Sequence, residues 1–308
     1  MRFVGVRDGR RVVVGRVLDP AGDHAGDQTV DGGLPAEGAG ADGSTPSRLR
    51  VARIAEVDEF YADLPRWAEA ARAATAADGE HDLDDLTLAP PVPAGARVLG
   101  MGLNYHAHAA ETGLDLPKRP PIFGRWTASL VVDGTPVPVP PGERGLDWEG
   151  ELAAVVGTRL TDVDEDTALR GVFGYAAFND LSARRAQGAS AQWTLGKNAD
   201  RSGPMGSVVT ADQVGDPGAG LRLVTRVNGE VVQDGDTSDM IFSVGRILSF
   251  VSRTITLNPG DVLITGTPAG VGYIRTPPRY LGPGDVVEVW VERVGSVRNP
   301  VVDASARP

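Results

Sequence analysis

The chain has 308 residues, 41% of them apolar and 23% charged, ordinary proportions for a protein that buries its own core. It has no cysteine, which excludes disulfides, iron–sulfur clusters, thiolate zinc and a cysteine nucleophile, and its four histidines (His24, His81, His106, His108) make a three-histidine metal site unexpected. The formal net charge is −11, so a basic nucleic-acid footprint is absent; six of the acids lie between Asp19 and Ser47, leaving the remainder mildly acidic.

The chain opens on β-branched runs flanking Asp8-Gly9, which predicts a hairpin. This opening lacks the apolar stretch of a signal peptide, and no run of 18 apolar residues occurs, so a cytoplasmic protein without a membrane span is expected. Residues 19–47 are Gly, Ala and Asp with scattered Pro, too polar and small-sided to pack, and a disordered insertion is expected there. Apolar residues at helical spacing (Phe60, Leu64, Trp67, Ala71, Ala74) predict a helix over 57–77, followed by a Pro-rich connector over 80–93. After residue 95 short apolar runs recur at 97–100, 130–132, 152–156, 171–178, 206–209, 222–227, 262–265 and 286–291, punctuated by Gly and Pro turns. Helices are expected near 106–112 and 242–252. The pattern predicts a mixed, β-rich α+β protein with a sandwich or barrel-like core, divided into a small N-terminal β-containing domain (1–94, carrying the insertion) and a larger domain (95–308).

Three groups of residues could carry chemistry. In Asp147-Trp148-Glu149-Gly150-Glu151 the two glutamates point to one face if the following strand begins early. Neighbouring buried carboxylates repel unless something positive lies between them, and a hard cation such as Mg²⁺, Mn²⁺ or Ca²⁺ is the simplest solution. A solvated strand edge is the plain alternative. Asp180 closes the 171–178 run, and Arg184 and Gln187 follow four and seven residues on, where a helical turn would align all three and offer a guanidinium to a substrate carboxylate. An ordinary helix start reads equally well. In the 102–111 segment, with Asn104 near the N-cap, His108 and Glu111 fall three apart on one helical face, a pairing that suits a general base and also occurs as plain structure. Lys197 follows a Trp in no phosphate-loop context, and the 266–272 loop offers backbone donors and the Thr267 hydroxyl but has Pro268 where a dinucleotide fingerprint needs otherwise. The G-x-S-x-G elbow of a serine hydrolase is absent.

Taken together and in order, Asn104-Tyr105…His108…Glu111, Asp147-Trp148-Glu149-Gly150-Glu151-Leu152, Asn179-Asp180-Leu181-Ser182-Ala183-Arg184, Gly196-Lys197, Asp239-Met240-Ile241-Phe242 and Pro259-Gly260-Asp261…Thr265-Gly266-Thr267-Pro268 resemble the fumarylacetoacetate hydrolase family over about residues 95–296. The resemblance implies a β-roll-like catalytic domain, usually homodimeric, with Mg²⁺, Mn²⁺ or Ca²⁺ held by Glu149, Glu151 and Asp180. It implies His108 with Glu111 as a water-activating dyad, Lys197 as a further catalytic group, and Arg125, Arg184, Gln187 and Thr267 as substrate contacts. Met101 stands where the fumarylacetoacetases proper have an acidic ligand, which places the chain with the shorter bacterial acylpyruvate hydrolase and 2-hydroxyhepta-2,4-diene-1,7-dioate isomerase-like members. Arg185 and Ala199 replace a usual Asp and a usual aromatic, and many relatives carry Lys at Arg125. The expected activity is metal-dependent hydrolytic cleavage of a C–C bond in a β-diketo acid. The alternatives are an isomerase, tautomerase or decarboxylase of a chelated 2-oxo acid, or a catalytically altered binding protein of a biosynthetic pathway.

Overall fold

A computed structural model describes residues 1–18, 49–75, 78–79 and 81–306; the expected insertion at 19–47 lies outside them. Two sheets dominate the described residues. The larger, of eleven strands, has at its centre the antiparallel pair Gly150–Val156 and Val172–Asn179, flanked on one side by Val262–Ile264, Val98–Met101 and Ile122–Arg125. On the other side Val208–Thr210 leads to the N-terminal hairpin Arg2–Asp8 and Arg11–Leu18 and then to Arg50–Glu56. The N-terminal segment therefore extends the same sheet, with Arg2 opposite Val209 and the Met1 ammonium donating to Thr210 Oγ1 at 2.8 Å. The second sheet runs Glu230–Asp236, Arg222–Val227, Val286–Val291, Gly295–Val302 and Val137–Pro138. Each sheet is an open path among the described residues, so the barrel-like alternative gives way to two facing layers.

Side chains alternate across a strand, and the central pair is buried on both faces. Leu152, Ala154, Tyr175 and Ala177 pack against Leu223, Val289 and Val297 of the second sheet. Ala153, Val155, Ala176 and Phe178 pack with Phe3, Phe60 and Tyr61 of the N-terminal segment. This two-sided burial is why 152–156 reads as a continuous apolar run.

Most predicted strands are found within a residue or two of their expected ends, but two features differ. The single helix expected over 57–77 is two, Val57–Ala62 and Leu64–Ala73, broken at Asp63. Pro65 has no N–H to give and is tolerated in the first turn of a new helix, which Asp63 caps by accepting from Arg66 N. The strands Glu230–Asp236 and Gly295–Val302 carry too many polar residues to show an apolar run; pairing with the buried strands beside them holds both in place. No helix among the described residues is long and apolar enough to cross a membrane.

The helix His106–Thr112 forms as expected, yet Asn104 does not cap it. Tyr105 occupies that position, and the Ala107 N–H donates to Asp239 Oδ2 at 2.9 Å. Asn104 is fully buried and staples three segments: its Nδ2 donates to Thr265 O (2.7 Å) and Phe242 O (3.1 Å), and its Oδ1 accepts from Phe242 N (2.9 Å). Asn104→Leu keeps the volume but strands these buried backbone groups. It is expected to cost about 3 kcal/mol or more, read as a lowered urea midpoint at unchanged slope.

Candidate active site

The register of the central pair brings three carboxylates together. Gly150 lies opposite Asn179, and one step further Asp180 N donates to Glu149 O at 2.9 Å, so Glu149 and Asp180 face each other where the ladder ends. The strand begins at Gly150, early enough to put Glu149 and Glu151 on one face, and opposite residues of an antiparallel pair share that face. Glu149, Glu151 and Asp180 are all buried, with ligand oxygens within 4.8 Å of one another.

Cations from three other elements close on this cluster. Lys197, on the short helix Thr194–Lys197, places its Nζ 2.6 Å from both Glu149 Oε2 and Asp180 Oδ2. Arg125, from the strand Ile122–Arg125, pairs with the other Asp180 oxygen and donates to Ser202 Oγ at 2.8 Å. Arg184 donates to Glu149 Oε1 (2.6 Å), Asp147 Oδ2 (2.8 Å) and Gln187 Oε1 (2.9 Å), with the Tyr273 ring 4.3 Å from its guanidinium carbon.

These partners set the protonation of the acids. Burial raises the pKa of Glu149, but Lys197 and Arg184 outweigh it and bring the value down to about 2. Burial opposes the Lys197 charge, and Asp180 with Glu149 overcome that and raise its pKa. Glu151 is different. Its Oε2 accepts from Gly266 N at 2.7 Å, while the ion pairs of Lys197 and Arg184 go to its neighbours. Burial first, then Asp180 and Glu149, push its pKa well up. A buried all-oxygen triad with one carboxylate lacking an ion-pair partner among the described residues fits a hard divalent cation.

His108 and Glu111 form the expected pair on one face of their helix, His108 Nδ1 lying 2.6 Å from Glu111 Oε1. A carboxylate only accepts, so Nδ1 carries a proton, and in the neutral ring Nε2 is the basic nitrogen. His108 is buried. The 266–272 loop ties the groups together, because its backbone donors go to carboxylates of the site: Gly266 N to Glu151, Gly270 N to Glu111 Oε2 (2.9 Å) and Gly272 N to Asp147 Oδ1 (2.6 Å). Gly266 and Gly270 have φ of +91° and +106°, conformations that other residues adopt only under strain.

The structure thus brings Glu149, Glu151, Asp180, Lys197, Arg184 and Arg125 into one cluster, with His108 and Glu111 beside it. Asp180 ends a strand and shares no helical turn with Arg184 and Gln187, which alone lie together on the helix Arg184–Gln187. Arg125 has no exposed side-chain surface and sits behind Asp180. Thr267 is buried, donating its hydroxyl to Gly150 O (2.9 Å) and accepting from Gln233 Nε2 (2.8 Å). Sequence reasoning missed Gln233, whose Oε1 also accepts from Gly150 N at 2.9 Å, because a single Gln in a polar strand carries no signal of burial. It also missed Asp147 as the anchor of Arg184, and Tyr273.

The family model "Fumarylacetoacetate (FAA) hydrolase C-terminal" matches residues 97–302. The chain belongs to the fumarylacetoacetate hydrolase family. Oxaloacetate tautomerase fahd2, mitochondrial, of Xenopus laevis is 35% identical over 297 residues, covering 95% of this chain and 90% of that protein. The 2-hydroxyhepta-2,4-diene-1,7-dioate isomerase of Mycobacterium marinum superposes with a TM-score of 0.70 at 30% identity, covering 98% of each chain. Fumarylpyruvate hydrolase of Pseudomonas aeruginosa, solved in complex with Mn²⁺ and pyruvate, superposes with a TM-score of 0.62 at 31% identity, covering 70% of this chain and 92% of that one. The family includes hydrolases, isomerases and tautomerases, and the buried Glu/Glu/Asp group here suits a divalent metal.

Adding Mg²⁺ or Mn²⁺ to EDTA-treated protein is expected to stabilise it by about 2.7 kcal/mol at a hundredfold excess over Kd. Glu151→Gln keeps the shape, removes the one carboxylate of the triad without an ion-pair partner among the described residues, and is expected to abolish that gain while leaving the apo protein folded. Thermal unfolding with and without EDTA checks this, and a gain that persists in the variant places the metal elsewhere.

Proposed function

We propose that this chain is a divalent-metal-dependent hydrolase cleaving a C–C bond in a β-diketo acid of the acylpyruvate type. The observation that supports the reading is an imidazole held through its Nδ1 by Glu111, beside a buried carboxylate cluster suited to a divalent cation. A divalent cation held by Glu149, Glu151 and Asp180 would supply Lewis-acid stabilisation for negative charge on the 2-oxo acid.

The residues divide the remaining work. His108 Nε2 takes a proton from water as the water oxygen attacks the acyl carbonyl, and Glu111 stabilises the imidazolium that forms. The bond from the acyl carbon to the central carbon breaks, its electrons leave as the enolate of pyruvate, and His108 returns the proton to that carbon. The acyl fragment departs as a carboxylic acid, so water is the only other reactant. Lys197 is the donor for the developing oxyanion, and Thr267 borders it. Arg184 with Gln187 serves the substrate carboxylate. Arg125, buried behind Asp180, is assigned to positioning that aspartate. Two copies of the chain are proposed to form the functional unit in the cytoplasm.

A second reading, tautomerisation of a 2-oxo acid such as oxaloacetate, is favoured by the Xenopus laevis relative, which matches across 95% of this chain. There His108 would move a proton between carbon and oxygen without consuming water.

Purified protein with Mg²⁺ or Mn²⁺ is expected to remove the enol absorbance of acetylpyruvate, yielding pyruvate and acetate, and to stop with EDTA. His108→Ala is expected to lose about 10²- to 10⁴-fold in this rate while keeping the metal-dependent rise in melting temperature. Full turnover in the variant would remove His108 from its role. Interconversion of oxaloacetate tautomers with acetylpyruvate untouched would establish the second reading.

A further inference from the structure

Phe123 and Trp193 lie on the edge of the carboxylate cluster, and the mechanism uses neither. Phe123 is two residues before Arg125 on the same strand, hence on the same face, and its ring centroid lies 5.2 Å from Lys197 Nζ. Trp193 precedes Lys197 by one helical turn, and its ring meets that of Phe123 edge-on at 5.6 Å. Both rings rest on glycines of the segment leading to His108. Phe123 lies opposite Gly100 in register, where a Cβ would come within 2.1 Å of its ring, and a Cβ on Gly102 would come within 2.7 Å of Trp193. Trp193 is 36% exposed, and Leu195, two residues on, 65%. The result is an aromatic shelf that starts at the cluster's ammonium and runs outward towards solvent.

We propose that the Phe123–Trp193 shelf, cleared by Gly100 and Gly102, is the subsite for the distal tail of the substrate and selects 2-oxo acids whose tail is apolar and bulky over those ending in methyl or carboxylate. This rests on the 2-oxo-acid reading above and does not depend on which reaction follows. An apolar tail reaching across two aromatic faces leaves water without stranding a charge, whereas a terminal carboxylate would be desolvated against them.

The test is binding in the presence of Mn²⁺, by calorimetry, of three probes: 2-oxo-4-phenylbutanoate, 2-oxobutanoate and 2-oxoglutarate. The wild-type chain is expected to bind the phenyl probe about tenfold or more tightly than either other acid. Trp193→Ala is expected to bring that ratio close to one while binding 2-oxobutanoate as before. Gly102→Ala, which pushes the indole off its seat without removing it, is expected to lower the ratio in the same direction, and an intact Mn²⁺-dependent melting shift certifies the fold of both variants. A ratio near one in the wild type, tighter binding of 2-oxoglutarate, or a preference that survives both substitutions overturns the proposal. Tail discrimination in a protein that hydrolyses no acylpyruvate supports it and overturns the hydrolase reading alone. If none of the three acids binds, the 2-oxo-acid reading falls and the shelf's role with it.

Discussion

Three carboxylates held on one face of an antiparallel strand pair, out of water, are the constraint around which this protein is arranged. Ionised and unpaired they would oppose folding, because desolvation alone costs several kcal/mol per charge. The chain answers with cations drawn from three separate places: Lys197 from a short helix, Arg125 from a strand on the flank of the same sheet, and Arg184 from the turn after Asp180. Glu149 and Asp180 are compensated in this way. Glu151 receives one backbone N–H and is the point at which the cluster is left electrostatically open. The carboxylate whose burial is least compensated is therefore also the one that makes the triad suit a divalent metal.

The 266–272 loop converts that cluster into a site with a defined geometry. Its N–H groups reach Glu151, Glu111 and Asp147, one acid from each of the carboxylate cluster, the His108 pair and the Arg184 anchor. Backbone donors have no rotamers to lose, so three functional groups are registered to one another by a segment whose own shape is set by glycines at positive φ. Gly272 shows the other use of a missing side chain, because a Cβ there would come within 2.1 Å of Arg279 O. Asn104 has a comparable role beneath the loop, joining the segment before the His108 helix to Thr265 and to Phe242.

The sheet serves the site as a rigid mount. Because the central strands are covered on one face by the second sheet and on the other by the N-terminal hairpin and helices, their ends have little freedom, and the cluster sits just where the ladder stops. Placement at the end of two buried strands gives the carboxylates a fixed separation, while the less buried Arg184, Gln187 and Tyr273 leave one side of the cluster near solvent.

What the sequence by itself determined is local. The period-two spacing of Glu149 and Glu151, the three-residue spacing of His108 and Glu111, the turn residues and the apolar runs all follow from backbone geometry, and they were legible because each depends only on neighbours along the chain. What only the tertiary structure decided is which groups meet across the chain. Asp180 joins the glutamates through strand register, Lys197 comes between two of the acids, Arg125 turns inward to Asp180 in place of an open pocket, and Asn104 leaves its helix to staple distant segments. Those outcomes rest on the balance of buried charge and on hydrogen bonds between residues up to 161 positions apart. Gln233 and Asp147 took their roles in the same way, as polar groups whose partners exist only once the two sheets and the loop are assembled.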